Sequence, residues 1–346
     1  MANCKATLLA GIPLENPALF HRVRFGVGDP AAWISIEKAG QSTTTFVVRD
    51  IEVARARKAV SADQVAAPAE FAPAGGLSGD RATATAQAVA ECLRRAEVSC
   101  VTTDRTLPYI YAWHIQQAGI AVEYSPELGV SQRRCKDEQE LGWLLEAQQV
   151  TEAAMLMALE TVAGAVANAE GTLMVESQAL TSEGLRHRIS AYLLERGYSN
   201  PHDSIVATTP HSADCHERGS GFLRTGQPVI IDIFPQCNAT RYWGDCTRTV
   251  VHGDASDELR KMHAAVLTAF GAACDKAVAG ATADEVHGAT KQALESLGFR
   301  FARGEISDLP VMPHGTGHGI GLEVHEPILL DDQGGTLMAN EVFTIE

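Results

Sequence analysis

Glycine at every second position from 315 to 321 is the feature that most narrows what this chain can fold into. The run reads His314-Gly-Thr-Gly-His318-Gly-Ile-Gly-Leu-Glu-Val-His325-Glu-Pro327. Glycine at that density argues against a helix, which excludes the helical His-Glu-x-x-His metal motif. It also lets the backbone approach a ligand closely and take up positive φ. Three histidines, His314, His318 and His325, fall within these twelve residues. Imidazole nitrogens placed this way bind a metal or stabilise an oxyanion, whereas core histidines rarely cluster so densely amid glycine.

A second constellation lies upstream. Val229-Ile-Ile-Asp232-Ile-Phe-Pro235 and Gly244-Asp245-Cys-Thr-Arg-Thr-Val-Val251 are β-rich runs flanking the polar segment 236–241. They read as an antiparallel hairpin. A turn centred on Asn238–Ala239 predicts Asp232 directly opposite Asp245, on one sheet face with Cβ atoms ~5 Å apart. Two carboxylates that close repel unless a cation or a proton lies between them. An aspartate amid Ile230, Ile231, Ile233 and Phe234 is costly to bury alone, and a hard divalent cation removes that cost. The plainer alternative is that Asp232 ends its strand and pairs with Arg241 or Arg248. Two weaker signals complete the set: Asp214-Cys-His216-Glu-Arg-Gly-Ser-Gly221, where a loop histidine is usually just solvated, and the strand pattern Val342-Phe-Thr-Ile-Glu346.

Organisation along the chain is a first α/β unit over residues 1–133 and a second unit over 135–346. The first alternates β-type runs (7–9, 33–36, 44–48, 99–102) with helical segments (51–60, 81–96), and the Ala/Pro/Gly-rich stretch 66–79 reads as a loop. His21 and His114 are isolated there and read as structural or surface residues. The second opens on a long helix whose stripe is expected at Leu141, Leu144, Leu145, Met155, Leu159, Val162 and Val166. A helix over 183–196 follows, with Leu185, Ile189 and Leu193 on one face and Gly197 ending it. Ser256 caps a third helix, and Thr282-Ala-Asp-Glu285 opens a fourth that ends at Gly298. The order helix, helix, strands then occurs twice, consistent with a loose internal duplication.

A net charge of -15 opposes contact with nucleic acid or anionic membrane, and no stretch approaches the ~20 apolar residues of a membrane span. Eight cysteines, from Cys4 to Cys274, contain no C-x-x-C pair and read as reduced thiols of a cytoplasmic protein.

Taken together, these motifs resemble the pita-bread metallopeptidases: aminopeptidase P, prolidase and methionine aminopeptidase. The similarity covers about residues 135–346. It implies an α+β pita-bread (creatinase/aminopeptidase) domain behind an α/β N-terminal domain of the creatinase type. Methionine aminopeptidases lack that first domain, and creatinase does not keep the ligand set, so the Xaa-Pro peptidases fit best. The resemblance implies Asp232, Asp245, His318 and Glu346 as ligands of two divalent metal ions, Mn²⁺ first, with Zn²⁺, Co²⁺ or Fe²⁺ as alternatives. It gives His216 and His325 contacts to substrate or transition state, and places His314 beside the site. The implied reaction is metal-assisted hydrolysis of the bond between an N-terminal residue and proline, with Glu346 both ligand and proton acceptor. A dipeptidase (prolidase) and a non-catalytic binding scaffold of the same fold are the competing readings. The implied partners are peptides with proline second, and the family implies a homodimer.

The sequence departs from the family pattern in two places. The two aspartates are two residues further apart than is common, which preserves their facing because the strand period is two. The chain also stops at Glu346, where relatives continue and supply a second, bridging glutamate. The expectation is that a longer parent polypeptide carries that ligand.

Overall fold

The computed structural model describes residues 5–304 and 309–346. It divides into two compact units, Met1–Arg133 and Arg134–Glu346. Cys4 lies outside the described residues, and the other cysteines form no disulfide.

The first unit is built on a six-stranded mixed sheet. Its strands, in spatial order, are Gln64–Ala66, Gln41–Val47, Ala31–Lys38, Lys5–Gly11, Cys100–Thr103 and Ala121–Tyr124. Side-chain alternation sorts its core into two layers. Leu8 and Ile34 are paired in register and face a cluster with Val89, Leu93 and Ile115. Their neighbours Leu9 and Trp33 face the opposite cluster, with Leu19, Phe46 and Ala56. Both faces are therefore covered, as the α/β expectation requires. Four further elements carried too little periodicity to be read: helix Pro17–Val23, strand Gln64–Ala66, helix Tyr109–Gln117 and strand Ala121–Tyr124. The first is capped by Asn16, whose side chain accepts from the Leu19 amide at 2.9 Å. The stretch expected as a loop contains a short 3₁₀ turn, Pro68–Phe71.

The second unit opens on helix Glu138–Ala163, whose start is fixed by a reciprocal cap between Asp137 and Glu140. Its buried line runs through Leu144, Ala147, Thr151, Ala154, Met155, Ala158 and Val162. The expected stripe is thus corrected: Leu145 is 60% exposed, and Val166 lies beyond the helix. Small residues face inward because the strand Cys246–Val251 crosses close by. Gly244 shows how close: a Cβ there would meet Thr151 Oγ1 at 2.2 Å and the Ala147 carbonyl at 2.7 Å. Helix Ser182–Glu195 buries Leu185, Ile189 and Leu193 completely, each contributing about 1.5–3 kcal/mol. These side chains join Val229, Ile231 and Ile233 in one core. Alternation then puts Asp232 on the other face of its strand. Helices Asp257–Lys276 and Ala283–Ser296 carry the expected caps at Ser256 and Thr282.

Candidate metal centre

Two ladders position the site. In the first, strands Ile205–Ala207, Pro228–Ile233 and Cys246–Val251 pair antiparallel. Asp232 lies opposite Thr247. This overturns the expected pairing with Asp245. The turn closes one residue later than expected, between Ala239 and Thr240: the Cys237 amide donates to the Tyr242 carbonyl at 2.9 Å, and Gln236 bridges Trp243. Arg241 takes φ 67° in that turn. A one-residue shift at the tip moves the register by two, so Asp232 and Asp245 stay on one face, displaced diagonally. Thr247 fills the position opposite and donates its hydroxyl to Asp232 Oδ1 at 2.7 Å. Among the described residues Asp232 forms an ion pair with neither Arg241 nor Arg248, so that alternative is set aside.

The second ladder is where the glycines act. Gly317–Gly319 pairs with Glu326–Leu330 on one side. On the other side it meets the segment 342–346 through Ile320 N to Val342 O (3.1 Å), Thr344 N to His318 O (2.8 Å) and Glu346 N to Thr316 O (2.8 Å). A Cβ at Gly317 would lie 2.0 Å from the Thr344 carbonyl, so only glycine lets the segment carrying Glu346 close in.

Three side chains then converge. His318 Nε2 is 3.1 Å from Glu346 Oε1 and 3.7 Å from Asp245 Oδ2. One ligand atom from each of Asp245, His318 and Glu346 lies within 4.8 Å of the others. The Asp245 amide is held by Gln148 Oε1 at 3.1 Å, and the His318 ring by the Gly319 carbonyl at 3.0 Å. Desolvation pushes the Asp232 carboxyl up to about 6, helped by the Glu346 charge and opposed by Thr247. Desolvation, with the charges of Asp232 and Glu346, pushes Asp245 up to about 8. Burial alone would raise Glu346, but the His318 hydrogen bond and charge outweigh it and hold it below the usual range. Burial likewise opposes protonation of His318, yet Glu346 and Asp245 raise it.

The remaining sequence candidates surround this core. The His325 ring stands edge-on to His318 with centroids 4.3 Å apart. Desolvation and the His318 charge lower its basicity, with smaller contributions from His216 and His202. His216 is exposed, and its charge acts on Asp232. Exposed His314 bonds the Gly315 carbonyl at 2.8 Å, and its charge acts on Glu346. Sequence reasoning missed His202, a single loop histidine without a motif. Its ring stacks on Trp243 with centroids 5.6 Å apart, and Trp243 in turn donates to the Leu322 carbonyl at 3.0 Å.

This donor set fits divalent cations. It offers hard carboxylate oxygens and one imidazole, the mixture that first-row ions take. No lysine or arginine forms an ion pair with Asp232, Asp245 or Glu346 among the described residues, so their charge is left for something else to balance. Both aspartate carboxyls are pushed up because burial and neighbouring carboxylates act on them with no lysine or arginine paired to them among the described residues.

Comparison with known proteins agrees. The model of metallopeptidase family M24 matches residues 143–346. The chain is similar to an Xaa-Pro dipeptidase of Lactobacillus delbrueckii subsp. lactis, 28% identical over 218 residues, covering 62% of this chain and 52% of that protein. It is similar to an Xaa-Pro dipeptidase of Pyrococcus furiosus, 31% identical over 196 residues, covering 54% and 53%. The chain thus spans about half the length of the curated relatives it matches. Among solved structures, an X-Pro aminopeptidase from Thermotoga maritima MSB8 superimposes with a TM-score of 0.77 at 20% identity, covering 100% of this chain and 88% of that one. That likeness bears out the fold expected from the sequence. Among the described residues, no helix is long and apolar enough to cross a membrane.

Proposed function

We propose, on the premise that the chain belongs to metallopeptidase family M24, that it hydrolyses the peptide bond between an N-terminal residue and proline, as an Xaa-Pro aminopeptidase. The carrying observation is the convergence of Asp245, His318 and Glu346 on one point, with Asp232 in the same field and, among the described residues, no lysine or arginine paired with them.

In this reading Asp232, Asp245, His318 and Glu346 hold two divalent ions, Mn²⁺ first. Bound there, such ions supply Lewis-acid polarisation of a peptide carbonyl and acidification of water. The chain's own groups do the rest. Glu346, kept ionised by His318, accepts a proton from water. His325 and His216, at the open side of the cluster, stabilise charge developing on the carbonyl oxygen or hold the substrate. His314 adds a polar group beside Glu346. Selectivity for proline rests on the likeness to Xaa-Pro peptidases. A cytoplasmic homodimer is the accompanying proposal for the protein's state.

An Xaa-Pro dipeptidase is the second reading, favoured by the names of the two curated relatives. Cleavage of an Xaa-Pro dipeptide against an Xaa-Pro-Yaa tripeptide separates the two. The test of the main reading is Asp245→Ala. Metal content and metal-dependent Xaa-Pro cleavage are both expected to vanish, and retained activity would contradict the ligand assignment.

A further inference from the structure

We propose that His287 is a positioning residue for the metal centre, acting through Thr316. This rests on the reading of Asp245, His318 and Glu346 as metal ligands. His287 lies on helix Ala283–Ser296 and is fully buried, as is Thr316. Its Nδ1 is 2.9 Å from Thr316 Oγ1. The protons in this chain of contacts can be traced. The Thr290 hydroxyl donates to the Val286 carbonyl at 3.2 Å, and the Thr316 hydroxyl donates to Thr290 Oγ1 at 3.0 Å. A hydroxyl has one proton to give, so Thr316 Oγ1 must accept from His287 Nδ1–H. This fixes the histidine tautomer, and it locks the Thr316 side chain from two directions.

Thr316 joins the run that carries His318 to the segment that carries Glu346. Its amide donates to the Leu330 carbonyl at 2.7 Å, and its carbonyl accepts from the Glu346 amide at 2.8 Å. His318 follows two residues later. Gly315 and Gly317 flank Thr316, so its side chain is the single anchor of that three-residue stretch. A glycine-rich backbone is costly to order, and the bond from His287 restrains it where the Glu346 backbone is attached.

The other nitrogen of His287 shows why this cluster is not itself a metal site. Ligand atoms of His287, Asp331 and Asp332 lie within 4.8 Å of one another, and Nε2 has no hydrogen-bond partner. Nε2 is 3.4 Å from Asp331 Oδ1. However, Arg303 already pairs with Asp331, and Lys291 pairs with Asp332 at 2.9 Å. Two cations balance two carboxylates, and a divalent ion would find no net charge to neutralise.

The experiment is Mn²⁺ titration of chelator-treated full-length chain by calorimetry. The variants are His287→Leu, Thr316→Val and His287→Asn. Leucine removes the donor, valine removes the acceptor at nearly constant shape, and asparagine keeps a donor near the Nδ1 position. His287→Leu and Thr316→Val are each expected to weaken Mn²⁺ binding about tenfold, at the lower end for outer-shell changes. The double variant should be no weaker than either single one, and His287→Asn should stay within about threefold of the parent. Lower melting temperatures with unchanged Mn²⁺ affinity in both Leu and Val variants would mean that His287 only supports the fold, and would overturn the proposal. Should His287→Leu fail to fold, Thr316→Val decides alone. Asp245→Ala is the control. If it too binds Mn²⁺ like the parent, the metal-centre reading itself has failed, which is a separate outcome.

Discussion

The second unit contains two clusters of histidine and carboxylate with opposite electrostatics. Around His287, the carboxylates Asp331 and Asp332 are matched by Arg303 and Lys291. Asp332 is accordingly held below the usual carboxylate range, first by its hydrogen bond from Lys291. Around His318, Asp232, Asp245 and Glu346 have, among the described residues, no basic partner beyond the imidazoles, and the two aspartates are pushed up to about 6 and about 8. The residue types are nearly the same. What separates the two is whether the chain brings its own counter-charge. A cluster that does is finished by folding, whereas one that does not stores repulsion until a cation arrives.

The largest effect that could break this contrast is the response to metal. Mn²⁺ at a hundred times its dissociation constant should stabilise the chelator-treated protein by about 2.7 kcal/mol. Asp245→Asn should lose most of that response. Without metal, the same variant should be more stable than the parent by on the order of 2 kcal/mol, because it removes a carboxyl that folding must either protonate or hold charged against desolvation, Asp232 and Glu346. Thermal melts with and without Mn²⁺ check both. An Asn variant that is less stable than the parent yet still shifts with Mn²⁺ would leave the two clusters alike.

The pH dependence should be somewhat smaller. Burial holds the folded Asp232 and Asp245 carboxyls above the ordinary aspartate range. The folded state therefore holds more protons than the unfolded chain between about pH 4 and pH 8. Their contribution to stability is greatest when protonated and declines as pH rises through that window, by at most about 1.4 kcal/mol per pH unit for each group. Metal-free protein should melt higher at pH 5.5 than at pH 8. Metal-loaded protein should show the reverse, since protons compete with the cation for the same oxygens. Asp245→Asn should flatten the upper half of the metal-free curve.

Much of this site is legible in the sequence because its chemistry is local. Glycines at alternate positions around His318 cannot be a helix, and an aspartate among isoleucines needs a reason to be there. The caps at Ser256 and Thr282 and the buried Leu185, Ile189 and Leu193 are equally local, set by hydrogen bonds and periodicity within one element. Contact between elements was less legible. The pairing of Asp232 with Thr247 depends on where the turn closes, and the positive φ of Arg241 gives no sequence signal as glycine would. Leu145 sits in the helical pattern yet points outward, because the inward line is set by the strand that Gly244 lets approach. His202 and His287 carry no motif at all. They become visible only when Trp243 and Thr316 are brought beside them.

The balanced cluster should respond to charge removal in proportion to burial, and here the expected effects are smallest. Arg303→Met strands the buried Asp331 carboxylate beside an imidazole nitrogen that offers it no hydrogen bond. The expected loss is on the order of 1–3 kcal/mol in thermal or denaturant unfolding. Lys291→Met breaks the pair with Asp332, whose side chain is 54% exposed and stays solvated without its partner. An exposed pair of this kind contributes less than the buried one, and most of that contribution should disappear in high salt. The difference between the two losses measures how far Asp331 depends on a cation the chain itself provides. Equal losses would mean that Arg303 is not the counter-charge of the buried carboxylate, and the distinction from the His318 cluster would then rest on the metal response alone.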